Sequence, residues 1–261
     1  MNLDRRWILG LPILLGLPLA AQPQIGGGTC ASSTLSGNYS ATLTGRNLTA
    51  LSYAASTEAI GTVNFDGLSK VTFTLTTNTN GSFGQQQTLS GTYSMQANCV
   101  GVMTITSGDN ATFSLESYNQ GKDYLITGED GTFGFTGNGS ILPATCPASL
   151  TAGFYPFNGT GLSLTSASIS GIFNILGTIQ FSGTNTIAIT AVIAQSGSSN
   201  KNVSATGTYT LTPNCTATAT VMDSSGINYS LVFQFTSASG NNFLLSSASV
   251  VGIYTGSGRA L

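Results

Sequence analysis

Four cysteines, nine carboxylates, seven basic side chains and no histidine make up the reactive inventory of this sequence. Without histidine the commonest general base and metal ligand is missing, and the Ser-His-Asp and Cys-His arrangements go with it. Carboxylates alone remain for acid–base work. The adjacent pair Glu129-Asp130 comes nearest to a constellation. Neighbours on a strand point to opposite faces, so these two do not converge on one proton, and Asp130-Gly131 reads as a turn. There is no phosphate loop, dinucleotide fingerprint or CxxC pair. The sequence offers no catalytic residue, no metal ligand set and no cofactor site.

What it does offer is repetition. GTYSMQANC at 91–99 returns as GTYTLTPNC at 207–215, an offset of 116. The same offset carries Cys30 onto Cys146, Cys99 onto Cys215, Tyr39 onto Tyr155 and Phe65 onto Phe181. Past a Ser/Gly-rich stretch near 235–241 the offset becomes 119, and Phe135-Thr136-Gly137 meets Tyr254-Thr255-Gly256. Matches along the whole chain at a nearly constant offset mean a tandem duplication of a domain-sized unit. The boundary falls near Pro143, giving units 22–143 and 144–261 after a leader at 1–21.

The duplication sorts the candidates. Four cysteines allow three pairings, and the repeat favours Cys30–Cys99 and Cys146–Cys215, one clip per unit. Of the charged residues outside the leader, none has a charged counterpart: Glu58 faces Asn174, Asp66 faces Ser182, and Arg46 faces Leu162. These charges therefore read as surface solubility groups. The shared aromatics, Tyr39/Tyr155, Phe65/Phe181 and Tyr93/Tyr209, have two readings. In one they line a pocket for a small hydrophobic ligand inside each unit. In the other they are ordinary core, with each buried tyrosine hydroxyl hydrogen bonded.

Location and partners follow from composition. Asp4-Arg5-Arg6, a short apolar run from Trp7 to Ala21 and the small-residue exit Ala20-Ala21 make a secretory signal peptide. No later stretch is long and apolar enough to span a membrane as a helix. Loss of Arg5, Arg6 and Asp4 leaves five basic and eight acidic side chains, a net charge of −3, which does not suit nucleic acid. The expected setting is extracellular or periplasmic, where disulfides persist. Nothing in the sequence sets an oligomeric state.

The elements that must position these residues are strands. Val71, Phe73 and Leu75 alternate with Thr72, Thr74 and Thr76, and Tyr229, Leu231, Phe233 and Phe235 recur at period two. Asp66-Gly67, Asn80-Gly81, Asp130-Gly131 and Asn158-Gly159 punctuate the runs as turns. The fold class is all-β, with about eight antiparallel strands per unit closed into an up-and-down barrel, which removes exposed edges. The alternative is a pair of β-sandwiches. An immunoglobulin-like one is disfavoured because the only tryptophan is Trp7 and the first cysteine precedes the first strand.

GTYTLTPNCTATATV (207–221), FLLSSASVVGIYTG (243–256) and GTVNFDG (61–67) resemble small secreted bacterial proteins with an allene-oxide-cyclase-like or lipocalin-like barrel. The resemblance implies a barrel in each unit and carries no activity, since the plant cyclase's catalytic residues have no match here. Three functions compete: a secreted module that binds a small apolar molecule, a structural or adhesive extracellular protein, and, last, an isomerase or cyclase. Fold alone does not choose between them.

Overall fold

The computed structural model describes residues 29–48, 56–79, 81–165, 168–195, 200–249 and 252–260. The leader at 1–21 and Asn80 of the Asn80-Gly81 turn lie outside them. The chain forms two closed antiparallel barrels of eight strands each, in sequence order. The first contains β1 (Ser36–Asn47), β2 (Ser56–Asp66), β3 (Lys70–Thr79), β4 (Ser82–Met95), β5 (Val100–Ser107), β6 (Ala111–Tyr118), β7 (Asp123–Glu129) and β8 (Phe133–Ser140). The second contains β9 (Gly153–Thr165), β10 (Ser168–Phe181), β11 (Thr186–Gln195), β12 (Lys201–Leu211), β13 (Thr216–Asp223), β14 (Asn228–Phe235), β15 (Asn242–Ser249) and β16 (Gly252–Arg259). Closure runs through Thr42↔Asn138 on β1 and β8, and through Gly159↔Gly256 on β9 and β16.

Local chemistry explains the path. On β3 the alternation holds: Val71, Phe73 and Leu75 are buried inside and the threonines between them face outward. The Asp-Gly turns are closed by their own aspartates. Asp66 Oδ1 accepts the N–H groups of Leu68, Ser69 and Lys70, and Asp130 Oδ1 accepts those of Thr132 and Phe133. The repeated Gly-Thr-Tyr has a steric cause. A Cβ on Gly91 would lie 2.0 Å from the Thr104 carbonyl oxygen, and one on Gly207 would lie 1.9 Å from that of Thr220. Only glycine lets β4 and β12 approach their neighbours so closely.

Each unit is clipped as the repeat suggests, Cys30 to Cys99 and Cys146 to Cys215. Cys99 and Cys215 both have left-handed backbone, with φ of 67° and 63°, so the corner ahead of each following strand is also conserved between the units. The change of offset falls between β14 and β15, where Ser237–Gly240 replaces the shorter turn at Asn119–Gly121.

The barrels also touch. The outward face of β2 lies against β14 and β15. Ser56, Glu58 and Ile60 point away from the first core yet are fully covered, as are Val232, Gln234, Ser246 and Ala248 of the second barrel. Leu162, Leu164 and Ile253 form a separate apolar cluster on the outside of the second barrel. Asn78 on β3 donates its Nδ2 to the Ser247 carbonyl at 2.8 Å across this junction.

Candidate functional site

The six shared aromatics come together three by three at the disulfide end of each barrel. In the first, Phe65 is a hub, with ring centroids 5.5 Å from Tyr39, 4.9 Å from Tyr93 and 5.6 Å from Tyr124, all edge-on. In the second, Phe181 stands 5.1 Å from both Tyr155 and Tyr209. The hydroxyls are all used. Tyr39 donates to the Gly121 carbonyl at 2.6 Å, Tyr93 to that of Leu35 at 2.9 Å, Tyr155 to Thr151 and Tyr209 to Ser182, each at 3.1 Å. None of the six is among the residues that line the cavities described below. They form a packed plug, with the disulfide beside it.

The opposite ends of the two barrels differ. The first is nearly full: a void of about 90 Å³ remains between Leu43, Phe73, Leu75, Leu89, Phe113 and Phe135. The second holds a cavity of about 580 Å³. The difference is written at equivalent inward positions. Where the first barrel has Phe73, Leu75 and Leu89, the second has Ile189, Ala191 and Ala205. A volume of this size is in the range that takes a small organic molecule.

The walls of that cavity are unlike one another. Ile175, Ile189, Ala191, Ala205 and Val221, from β10 to β13, are apolar. The opposite wall, from β14, β16 and β9, carries Tyr229, Tyr254 and Ser163, the tyrosines standing where the first barrel has Phe113 and Phe135. Gln195, Asn200 and Lys201 stand at the mouth.

No family model matches the sequence, and no curated protein matches it either. Among solved structures, the chain is similar to a protein of unknown function from the DUF3598 family of Nostoc punctiforme, at 9% identity and a TM-score of 0.28, covering 87% of this chain and 97% of that one. It is also similar to CghA, at 7% identity and a TM-score of 0.28, covering 92% of this chain and 96% of that one.

Electrostatics within the cavity favour neutral donors. Burial pushes the Tyr254 hydroxyl up to about 12. The Tyr229 hydroxyl is also raised, by burial first and then by its hydrogen bond to Asp223 Oδ2 at 3.1 Å. Both phenols are protonated at neutral pH. Burial works against ionisation of Asp223, but the N–H groups of Ile227 and Ser225, the Tyr229 hydroxyl and the charge of Lys201 outweigh it and hold the carboxyl low. Asp223 is thus a turn cap at the cavity rim, occupied by its own neighbours.

Reading every charge as a surface group needs correction at two positions, Glu58 and Asp223, both of which are buried. Asp223 is retained by hydrogen bonds. Glu58 is covered by the second barrel, an event that no local pattern around residue 58 announces. Asp130, by contrast, is the turn residue its sequence suggests. Among the described residues no group of three or more His, Cys, Asp or Glu side chains is arranged to hold a metal ion. No helix of the described residues is long and apolar enough to cross a membrane.

Proposed function

We propose that this is a secreted binding protein that carries one small, largely apolar molecule in its second barrel. The observation that carries the reading is the cavity of about 580 Å³, apolar on one wall and bearing phenols on the other. An apolar ligand gains roughly 25 cal/mol for each Å² it removes from water, and the phenols orient any oxygen it bears. In this reading the six shared aromatics brace the closed end instead of touching cargo, and the first barrel is scaffold. The two disulfides support an extracellular or periplasmic setting, reached through a leader at 1–21 and followed by units at 22–143 and 144–261.

Catalysis has less support. Of the ionisable residues that line the cavity, Tyr229 and Tyr254 are kept protonated and Lys201 stands at the mouth. The deciding experiment is a native mass spectrum of the mature protein secreted by its own host. Extra mass that leaves on denaturation identifies a carrier and its cargo. A bare mass, together with no uptake of apolar dyes, sinks the reading in favour of a structural or adhesive role.

A further inference from the structure

The junction between the barrels is unusually polar for a covered surface. Glu58 is only 2% exposed. Its Oε2, the Oδ1 of Asn78, the Oε1 of Gln234 and the Oγ of Ser246 are all buried without a hydrogen-bond partner. Gln234 Nε2 donates to the Cys215 carbonyl at 3.1 Å and to the Asn214 carbonyl at 3.4 Å, and Asn78 Nδ2 gives one of its two N–H groups to the Ser247 carbonyl. The buried amide atoms that find no partner are both acceptor oxygens. A carboxylate cannot donate to an acceptor, whereas a carboxylic acid can.

The same junction borders the cavity of the second barrel. Asn78 holds the carbonyl of Ser247 on β15. Gly81, at the β3–β4 hairpin, sits so close that a Cβ there would lie 2.4 Å from the Ser249 carbonyl oxygen and 2.7 Å from Leu164 Cδ1. Ser249 and Leu164 both line the cavity. The first barrel therefore props one side of the second barrel's rim.

We propose that Glu58 is a proton latch: protonated, it keeps the first barrel docked on β14 and β15 and the cavity rim braced; ionised, it releases both. Burial holds its carboxyl up at about 7, against the opposing pull of Arg46. Arg46 is engaged with the Ser56 hydroxyl on the neighbouring strand. Its strand partners Thr44 and Asn78 carry no charge, and neither does any residue of β14 and β15, the strands packed against β2. The undocked form ionises first, near the ordinary value of 4.5. Docking then weakens about tenfold per pH unit, by roughly 300-fold in all, until the docked form ionises as well. The effect on cargo rests on the cavity reading above, while the docking step does not.

The test uses the full chain. Nitroxide labels at Leu68→Cys and Met222→Cys, both exposed and one on each barrel, report the inter-barrel distance by pulsed dipolar spectroscopy at pH 5 and pH 8. The expected result is a narrow distribution at pH 5, a broad one at pH 8, and a narrow one at both in Glu58→Gln. A carbon-13 titration of the Glu58 carboxyl checks the latch without any variant. Unchanged distances, or a carboxyl titrating near 4.5, overturn it. Release of N-phenylnaphthylamine is expected to be at least tenfold faster at pH 8 than at pH 5 in the native chain, and equal at both in Glu58→Gln. If the distances shift but the dye binds at neither pH, the latch stands and the cavity reading falls. If the dye binds and the distances stay fixed, the latch falls alone.

Discussion

Leu75 and Ala191 occupy the same inward position on the third strand of their respective barrels, and a filled interior surrounds one while an open cavity surrounds the other. The duplication thus gave two copies of one scaffold with different interiors. The closed ends stayed alike, since Phe65 and Phe181 are equivalent hubs. The far ends diverged through changes of side-chain volume that leave strand pairing untouched.

Filling the cavity should therefore separate binding from folding. The double variant Ala191→Leu, Ala205→Leu restores the first barrel's residue types at these positions. Overpacking normally costs about 1–3 kcal/mol, but here the added methyl groups enter space that is already empty. Uptake of N-phenylnaphthylamine is expected to fall at least tenfold while the thermal midpoint moves by no more than about 3 °C. Unchanged dye uptake would place the binding surface elsewhere.

The disulfides should contribute similarly in the two units, because each closes a separation of 69 residues. A loop of that size restricts the unfolded chain by about 4 kcal/mol in the chain-entropy model. Replacing Cys146 and Cys215 together by serine is expected to lower the unfolding free energy of the second barrel by about that amount, with little change in the first. Denaturant unfolding followed by barrel-specific hydrogen exchange distinguishes the two. Loss of both barrels together would show that they unfold as one unit.

The glycine of the Gly-Thr-Tyr strand gives a sharper contrast. Gly207→Ala drives a methyl group against the Thr220 carbonyl, a backbone atom that cannot step aside. A loss of roughly 2–4 kcal/mol is expected. Gly153→Ala, whose Cβ would find its nearest neighbour 3.8 Å away at the Tyr155 ring, should stay within about 0.5 kcal/mol of the native chain. Chemical denaturation of the two variants side by side settles it.

Much of this fold is legible in the sequence because it follows from local alternation. Val71, Phe73 and Leu75 announce a strand with one face inside, and the repeated GTY and Asn-Cys corners mark where each barrel tightens. The cavity was legible only in the differences between units. Looking for what the units share leads to Tyr39, Phe65 and Tyr93, which form the plug, and away from Ala191, Ala205 and Tyr254, which shape the cavity. The junction was harder still. Its local sign is lost alternation: Leu231 to Phe235 and Leu245 to Ser249 are buried at every position, as strands covered on both faces must be. Glu58 to Gly61 is also buried at every position, but a glutamate does not announce it, because its burial depends on where a second domain comes to rest.

Tyr254 supplies a pH dependence at a position where the first barrel has Phe135, which cannot titrate. Its hydroxyl titrates near 10 when unfolded and is pushed up to about 12 when buried. The folded state therefore keeps the proton longer than the unfolded state does. The stabilisation from this group is fully present below pH 10, and it is lost progressively as pH rises from 10 through about 12, at about 1.4 kcal/mol per pH unit for one proton. Other buried tyrosines act in the same direction, among them Tyr93, which burial also holds up at about 12. Tyr254→Phe is expected to flatten the alkaline decline by about one proton's worth while leaving stability at pH 7 within about 1.5 kcal/mol of native. Unfolding free energies between pH 9 and pH 12, with tyrosinate absorbance followed in parallel, provide the check. An unaltered slope in Tyr254→Phe would mean that solvent already reaches the phenol in the folded state. The cavity wall would then be wetter than its apolar half implies.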